Sequence, residues 1–136
     1  MAFGKHLMLD LRECDQVKLD DLELCFSLLH DIPDRIKMKK ISAPHVFRYH
    51  AELEEDRGIT GVTLIAESHI SLHTFPVKGH AFADVFSCKP FDLELVISIF
   101  CEAFSVKQFD CYTQDRGKHF TRQERLHSTD IPLKSI

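Results

Sequence analysis

Apolar side chains follow two kinds of spacing along this chain, and these spacings predict six strands and two helices. Strand patterns, with alternating or β-rich composition, occur in residues 5–12, 44–50, 58–67, 69–75, 80–88 and 108–113. Helical spacing occurs in residues 19–29, and we expect Pro33 to end that helix. A second helix is expected to begin at Pro90 or Asp92 and to carry an apolar stripe along residues 93–104. The predicted order is therefore β-α-β-β-β-β-α-β.

This order predicts an α+β fold, because the strands outnumber the helices and follow one another as hairpins. We expect a two-layer sandwich in which two helices cover one face of a largely antiparallel sheet. The other face of the sheet must then be solvated or meet another sheet. The sequence has no repeat and no linker rich in Gly, Pro or Ser, so residues 1–136 are expected to form a single domain.

Composition and charge narrow the possible functions. A chain of 136 residues that is 44% hydrophobic and 28% charged can bury a core, which excludes a disordered tail. The net charge of −4 and the lack of a basic cluster argue against a nucleic-acid partner. The longest nearly apolar window, residues 93–104, is too short to cross a membrane. Five cysteines without a C-x-x-C pair indicate a reduced, cytoplasmic protein with free thiols.

A predicted hairpin brings several reactive side chains together. A turn over residues 76–79, bounded by Pro and Gly, pairs Phe75 with His80 and, further along, Glu67 with Cys88. Directly opposed residues lie about 4.5–5.5 Å apart, so the Cys88 thiol is expected beside the Glu67–Ser68 peptide bond. His73 lies roughly 16 Å from Ser68 along a straight strand, so the two meet only through a bend or a partner subunit.

Taken singly, these residues have ordinary structural interpretations as well. Cys88 at the end of an apolar strand is also typical of a small core residue, and His69, His73 and His80 of surface or hydrogen-bonded histidines. A zinc site lacks a close pair of ligands in this sequence. A Cys–His hydrolase needs an electropositive niche for its thiol, to which only Lys89 contributes.

A longer pattern is more specific. Residues 67–76 read ESHISLHTFP, and the pattern continues through Gly79 and Ala81 to DVFSC at residues 84–88. This segment closely resembles the processing and active-site segment of the short prokaryotic S-adenosylmethionine decarboxylase proenzymes. The opening GKHL at residues 4–7, Cys14 and Arg116-Gly117 match the same family in order, so the resemblance covers most of the chain.

The resemblance implies that the chain makes its own cofactor. The family cleaves itself at the bond that corresponds to Glu67–Ser68, which here gives a beta chain of residues 1–67 and an alpha chain of residues 68–136. Ser68 becomes a pyruvoyl group, which forms a Schiff base with the substrate amine and accepts electrons as pyridoxal phosphate does. By the same resemblance His73 transfers a proton during processing, Thr60 stands where relatives carry a processing Ser, and Cys88 is the proton donor in decarboxylation.

The resemblance further implies a pyruvoyl-dependent carboxy-lyase of polyamine biosynthesis. Its small-molecule substrate is S-adenosylmethionine, and its product is the aminopropyl donor for spermidine. It implies a cytoplasmic homodimer whose sheets pack face to face, without a metal, a membrane or a nucleic acid.

Some positions depart from the family pattern. Val77 replaces an acidic residue associated with the substrate ribose, Lys89 replaces a common Gly, and residues 47–50 lack the usual aromatic pattern. An acidic loop at residues 52–57 suits a cationic substrate, although a solvated turn is the more ordinary interpretation of Glu52, Glu54 and Glu55. Two alternatives therefore stay open, namely a pyruvoyl-dependent arginine or ornithine decarboxylase and a non-catalytic homologue that never processes.

Overall fold

The computed structural model describes residues 2–120. Its strands are β1 (Gly4–Arg12), β2 (Lys39–Lys40), β3 (His45–Tyr49), β4 (Gly58–Ala66), β5 (Ser68–Phe75), β6 (His80–Ser87) and β7 (Gln108–Arg116). Its helices are α1 (Gln16–Leu19), α2 (Leu22–Arg35) and α3 (Leu93–Phe104), with 3₁₀ turns at Glu54–Asp56 and Pro76–Lys78. No helix among residues 2–120 has the length and apolar character needed to cross a membrane.

All of these strands belong to one antiparallel sheet. The strand order is β2-β4-β5-β6-β1-β7, and β3 pairs with the other part of the β4 edge. The two central strands, β5 and β6, form the hairpin expected around residues 76–79, with Phe75 opposite His80 and His69 opposite Phe86. The predicted register and the α+β class are therefore confirmed.

The helices cover one face of this sheet and form the core with it. Inward side chains alternate along the strands, as in Leu7, Leu9 and Leu11 of β1, and they pack with Phe100 and Phe104 of α3. Burying each of these large side chains contributes roughly 1.5–3 kcal/mol. The outward face of the sheet carries polar and aromatic side chains that the helices leave uncovered.

Pro33 does not end the first long helix, contrary to the sequence prediction. It lies inside the last turn of α2, which continues to Arg35. A proline cannot donate a hydrogen bond to the carbonyl four residues before it, here that of Leu29. The Thr63 hydroxyl of β4 donates to the Leu29 carbonyl instead, at 2.9 Å, so the sheet supplies the donor that the helix lacks.

Two short elements were also absent from the predicted order. The one-turn helix α1 has Asp15 as its N-cap, whose carboxylate accepts hydrogen bonds from the amides of Val17 and Lys18 at 2.9 and 3.1 Å. The two-residue strand β2 pairs with the end of β4. Segments of four and two residues are too short to show a periodic pattern, and tertiary contacts decide their structure.

Candidate active site

The predicted cleavage position lies in the tight turn between strands β4 and β5. Ile65 of β4 pairs with Ser68 of β5, so Ala66 and Glu67 form the turn, and the peptide bond between them is cis. Ser68 begins β5, and its hydroxyl oxygen is buried without a hydrogen-bond partner among residues 2–120. The Glu67–Ser68 bond therefore lies at the end of a hairpin, beside a buried hydroxyl.

Cys88 lies beside this bond, as the hairpin register predicted. It directly follows β6, and the Glu67 amide donates a hydrogen bond to its sulfur at 3.4 Å. The thiol is half-buried. The structure therefore brings together Glu67, Ser68 and Cys88 at one end of the sheet.

The backbone around Cys88 is fixed by residues that the sequence analysis did not assign to the site. The Ser87 hydroxyl donates to the Met38 sulfur at 3.3 Å and accepts from the Lys89 amide at 3.0 Å. Gly4 of β1 approaches the same segment, because a Cβ on Gly4 would lie 1.9 Å from the Ser87 carbonyl oxygen. A signal for Ser87 exists in the sequence, since it occupies an inward position that Ala81, Ala83 and Val85 hold elsewhere in β6.

Thr60 and His73 form a second polar pair. They face each other across β4 and β5, and the Thr60 hydroxyl lies 3.2 Å from Nδ1 of His73. Both side chains are exposed on the uncovered face of the sheet. The two residues expected to assist processing are therefore in contact with each other.

This pair does not meet Ser68 within one chain. Strand β5 runs without interruption from Ser68 to Phe75, so the bend considered from the sequence is absent. Five positions of extended strand separate Ser68 from His73 by roughly 16 Å, and an odd separation directs the two side chains to opposite faces. Of the two possibilities raised by the sequence, the bend is therefore wrong, and a contribution from a partner subunit stays a prediction.

A cleft opens beside Val77, at the turn between β5 and β6 and therefore at the opposite end of β5 from Ser68. It measures about 780 Å³, and its lining includes Asp20, Asp21, Glu23 and Arg48. A smaller cleft of about 240 Å³ continues from it and is lined by Tyr49, His50, Glu54 and Arg57 among others. Arg48 pairs with Asp20. The positions that depart from the family pattern at residues 47–50 and Val77 are therefore neighbours here.

On the uncovered face, the Asp84 carboxylate lies close to two polar side chains. Ser71 donates a hydrogen bond to the Asp84 carboxylate at 3.1 Å, and Nε2 of His6 lies 3.5 Å from the same carboxylate. Burial lowers the pKa of His69, and the nearby His6 adds a smaller effect in the same direction. His69 is therefore expected to be neutral at pH 7.

The other cysteines lie outside this site. Burial raises the pKa of Cys14 to about 11 and that of Cys25 to about 12, and it also raises the pKa of Cys101. These thiols are protonated at neutral pH, as expected for core residues, whereas Cys111 is exposed on β7. Within residues 2–120 there is no group of three or more His, Cys, Asp or Glu side chains able to hold a metal ion.

Comparisons with known proteins agree with one another. The family model described as S-adenosylmethionine decarboxylase matches residues 5–117. The S-adenosylmethionine decarboxylase proenzyme of Thermodesulfovibrio yellowstonii is 35% identical over 130 residues, covering 92% of this chain and 89% of that protein. The Aquifex aeolicus proenzyme is 32% identical over 136 residues, covering 99% of this chain and 95% of that one.

Coverage is smaller for some other relatives. The Prochlorococcus marinus proenzyme is 41% identical over 86 residues, and the match spans 62% of this chain and 65% of that protein. Among solved structures, the crystal structure of the adenosylmethionine decarboxylase from Aquifex aeolicus VF5 superposes with a TM-score of 0.73 at 29% identity. That match covers 93% of this chain and 98% of the other.

Proposed function

Because this chain belongs to the S-adenosylmethionine decarboxylase family, we propose that it is the precursor of a self-processing decarboxylase that acts on S-adenosylmethionine. The observation that carries the proposal is the position of the Cys88 sulfur, 3.4 Å from the amide of Glu67, the residue that precedes Ser68. The product is the aminopropyl donor for spermidine.

Processing starts from the Ser68 hydroxyl. Its oxygen attacks the Glu67 carbonyl carbon, so an ester bond replaces the peptide bond and Ser68 gains a free amine. Elimination across Cα–Cβ of Ser68 then releases the Glu67 carboxylate, and water displaces the nitrogen as ammonia to leave a ketone. The products are residues 1–67 and 68–136, of which residues 121–136 lie outside the described residues.

The residues at this position fit the pyruvoyl group on which the family depends. The buried Ser68 hydroxyl has no competing partner within residues 2–120, so no hydrogen bond must break before it reacts. Joined to the substrate amine, a pyruvoyl group would supply the electron sink for the pair that carbon dioxide leaves behind. Cys88 would serve as the general acid that donates a proton to the substrate α-carbon, with its sulfur held by the Glu67 amide.

A homodimer supplies the proton-transfer residue for processing. The straight β5 strand, which keeps His73 roughly 16 Å from Ser68 of the same chain, supports an arrangement in which His73 of one protomer serves Ser68 of its partner. Thr60 orients the His73 imidazole through the 3.2 Å contact. Such a C2 pairing completes two equivalent sites at once.

Coexpression of two inactive chains tests this dimer. A Ser68→Ala chain keeps His73, and a His73→Ala chain keeps Ser68. If His73 acts across the interface, the His73→Ala chain is cleaved in the mixed dimer although it stays intact when expressed alone. If the His73→Ala chain stays intact in the mixture as well, His73 does not act from the partner.

The acidic residues beside Val77 suggest a second substrate class. Because Val77 and Ser68 lie at opposite ends of β5, these residues would reach the reacting site only from the partner subunit. Asp20, Asp21, Glu23 and Glu54 line this region, and carboxylates suit the guanidinium of arginine or the ammonium of ornithine. Release of carbon dioxide from S-adenosylmethionine, arginine and ornithine should be compared under the same conditions. We expect S-adenosylmethionine to react fastest, and activity restricted to the two basic amino acids would instead identify an arginine or ornithine decarboxylase.

Inhibitors test the class of chemistry independently of the substrate. Hydroxylamine traps a ketone and is expected to abolish carbon dioxide release, whereas a metal chelator is expected to leave it unchanged. The opposite response contradicts a pyruvoyl enzyme. We also propose a reducing, cytoplasmic location, which the five unpaired cysteines support.

A further inference from the structure

We propose that Ser87 is a positioning residue that holds the Cys88 thiol against the Glu67–Ser68 bond. This inference rests on the proposed role of Cys88 as proton donor. It assigns a task to a side chain whose hydroxyl contacts Met38 and Lys89. The proposal comes from four hydrogen bonds that connect the end of helix α2, residues 87–89 and the Glu67 amide.

The first contacts fix the peptide groups on both sides of Cys88. The Ser87 hydroxyl accepts a hydrogen bond from the Lys89 amide at 3.0 Å, so it spans Cys88 from one side to the other. The same hydroxyl donates to the Met38 sulfur at 3.3 Å. Met38 is itself anchored, because its amide donates to the Pro33 carbonyl at 2.8 Å. The end of α2 is thereby connected to the backbone that carries the thiol.

Burial explains why a hydroxyl at this position has a specific task. Ser87 has no exposed surface, and the preceding inward positions of β6 are Ala81, Ala83 and Val85. Burying a hydroxyl is unfavourable unless it is hydrogen-bonded, so an apolar residue is the default for such a position. Here the hydroxyl uses both its donor and an acceptor lone pair. An alanine would leave the Lys89 amide without this partner.

The consequence for Cys88 is a restricted range of sulfur positions. Cys88 lies between two fixed peptide groups, and its sulfur accepts the Glu67 amide at 3.4 Å. A general acid acts only within hydrogen-bond reach of the atom it protonates. Loosening the segment therefore lowers turnover without removing the acid itself.

Two readouts, one of which does not need an active enzyme, test the proposal. In Ser87→Ala we expect kcat to fall about tenfold, with KM and the extent of cleavage unchanged. This is a part of the roughly 10²–10⁴-fold that a general acid supplies.

The second readout uses the Ser68→Ala chain, which cannot be cleaved. Adding Ser87→Ala to it is expected to make iodoacetamide alkylate Cys88 about fivefold faster, because about fivefold is the factor for one ordinary hydrogen bond. Ser87→Thr keeps the hydroxyl and is expected to restore both values.

Thr74→Ala is the matched control. Its hydroxyl is also buried on the inward side of the sheet, where it accepts a hydrogen bond from the Ile59 amide at 2.9 Å and donates to the Leu19 carbonyl at 2.8 Å, away from Cys88. It should lower thermal stability while leaving kcat and the alkylation rate unchanged. If Ser87→Ala and Thr74→Ala behave alike, Ser87 is only a structural residue and the proposal is wrong.

A further variant covers the case in which Ser87→Ala does not fold. Met38→Leu keeps the side-chain volume but removes the sulfur acceptor, and it is expected to speed Cys88 alkylation in the same direction by a smaller factor. An unchanged rate in Met38→Leu contradicts the proposal. Absence of cleavage in the unaltered chain would count against the proposed function, whereas the alkylation rates would still decide the role of Ser87.

Discussion

Replacing Gly4 with alanine should disturb the site from a residue outside the hairpin. A Cβ at this position would lie 1.9 Å from the Ser87 carbonyl oxygen and 3.0 Å from the Cα of Cys88. Ordinary contact begins at 3.4 Å, so β1 and the end of β6 must separate by about 1.5 Å to accept one methyl group. Both clashing atoms belong to the backbone, so rotation of a side chain cannot relieve the overlap.

The expected loss of activity is measured in an enzyme that still folds. A displacement of about 1 Å at a reacting group can cost roughly 10²-fold in rate, so we expect kcat of Gly4→Ala to fall between about tenfold and 10²-fold. Overpacking by one methyl group costs roughly 1–3 kcal/mol of stability, which a folded domain commonly survives. The measurements are steady-state carbon dioxide release, the fraction of cleaved chain and the thermal unfolding midpoint.

Gly79→Ala is the matched control for this experiment. Gly79 has a positive φ of 61° at the opposite end of the hairpin, so alanine there costs about 1–2 kcal/mol through backbone strain and does not touch the Cys88 segment. We expect Gly79→Ala to lose stability but to keep its kcat. Equal kcat values in the two variants at similar stability would refute the argument that Gly4 sets the position of Cys88.

Three further predictions concern a hydrogen bond and two groups whose pKa is shifted by burial. Thr60→Val should slow cleavage about five- to tenfold, because one hydrogen bond to His73 is lost, whereas Thr60→Ser should cleave normally; a time course on gels checks this. Burial lowers the pKa of His69, so the unfolded chain binds more protons and stability should fall as pH drops below about 6.5; His69→Gln should flatten that dependence in urea titrations. At pH 8 iodoacetamide should modify the exposed Cys111 well before Cys25, whose pKa is raised to about 12, and equal rates in peptide mass spectra would contradict this burial.

The central hairpin was predictable from the sequence because its turn residues determine its register. Pro76 and Gly79 mark the turn, and alternation along both strands then assigns each side chain to a face. The same register placed Cys88 beside Glu67, a position that the 3.4 Å contact confirms. A turn signal and a period of two suffice for these statements, since pairing propagates residue by residue along a regular ladder.

The support around the site was not predictable, because it depends on contacts between distant segments. Pro33 stays inside α2 only because the Thr63 hydroxyl replaces the missing donor, and no local pattern contains that information. The contact of Ser87 with Met38 joins residues that the sequence separates widely. The sequence predicted the distance between Ser68 and His73 along a straight strand, but it did not show whether β5 bends. Regular pairing with β4 and β6 on both sides keeps β5 straight.

The intact mass of the purified protein tests the proposed self-processing most directly. We predict two chains, residues 1–67 and residues 68–136, with a ketone in place of the amino group at the start of the second chain. The Ser68→Ala variant should give a single uncleaved chain and serves as the control. A single intact mass for the unaltered, folded protein would contradict the account. It would identify a non-catalytic homologue.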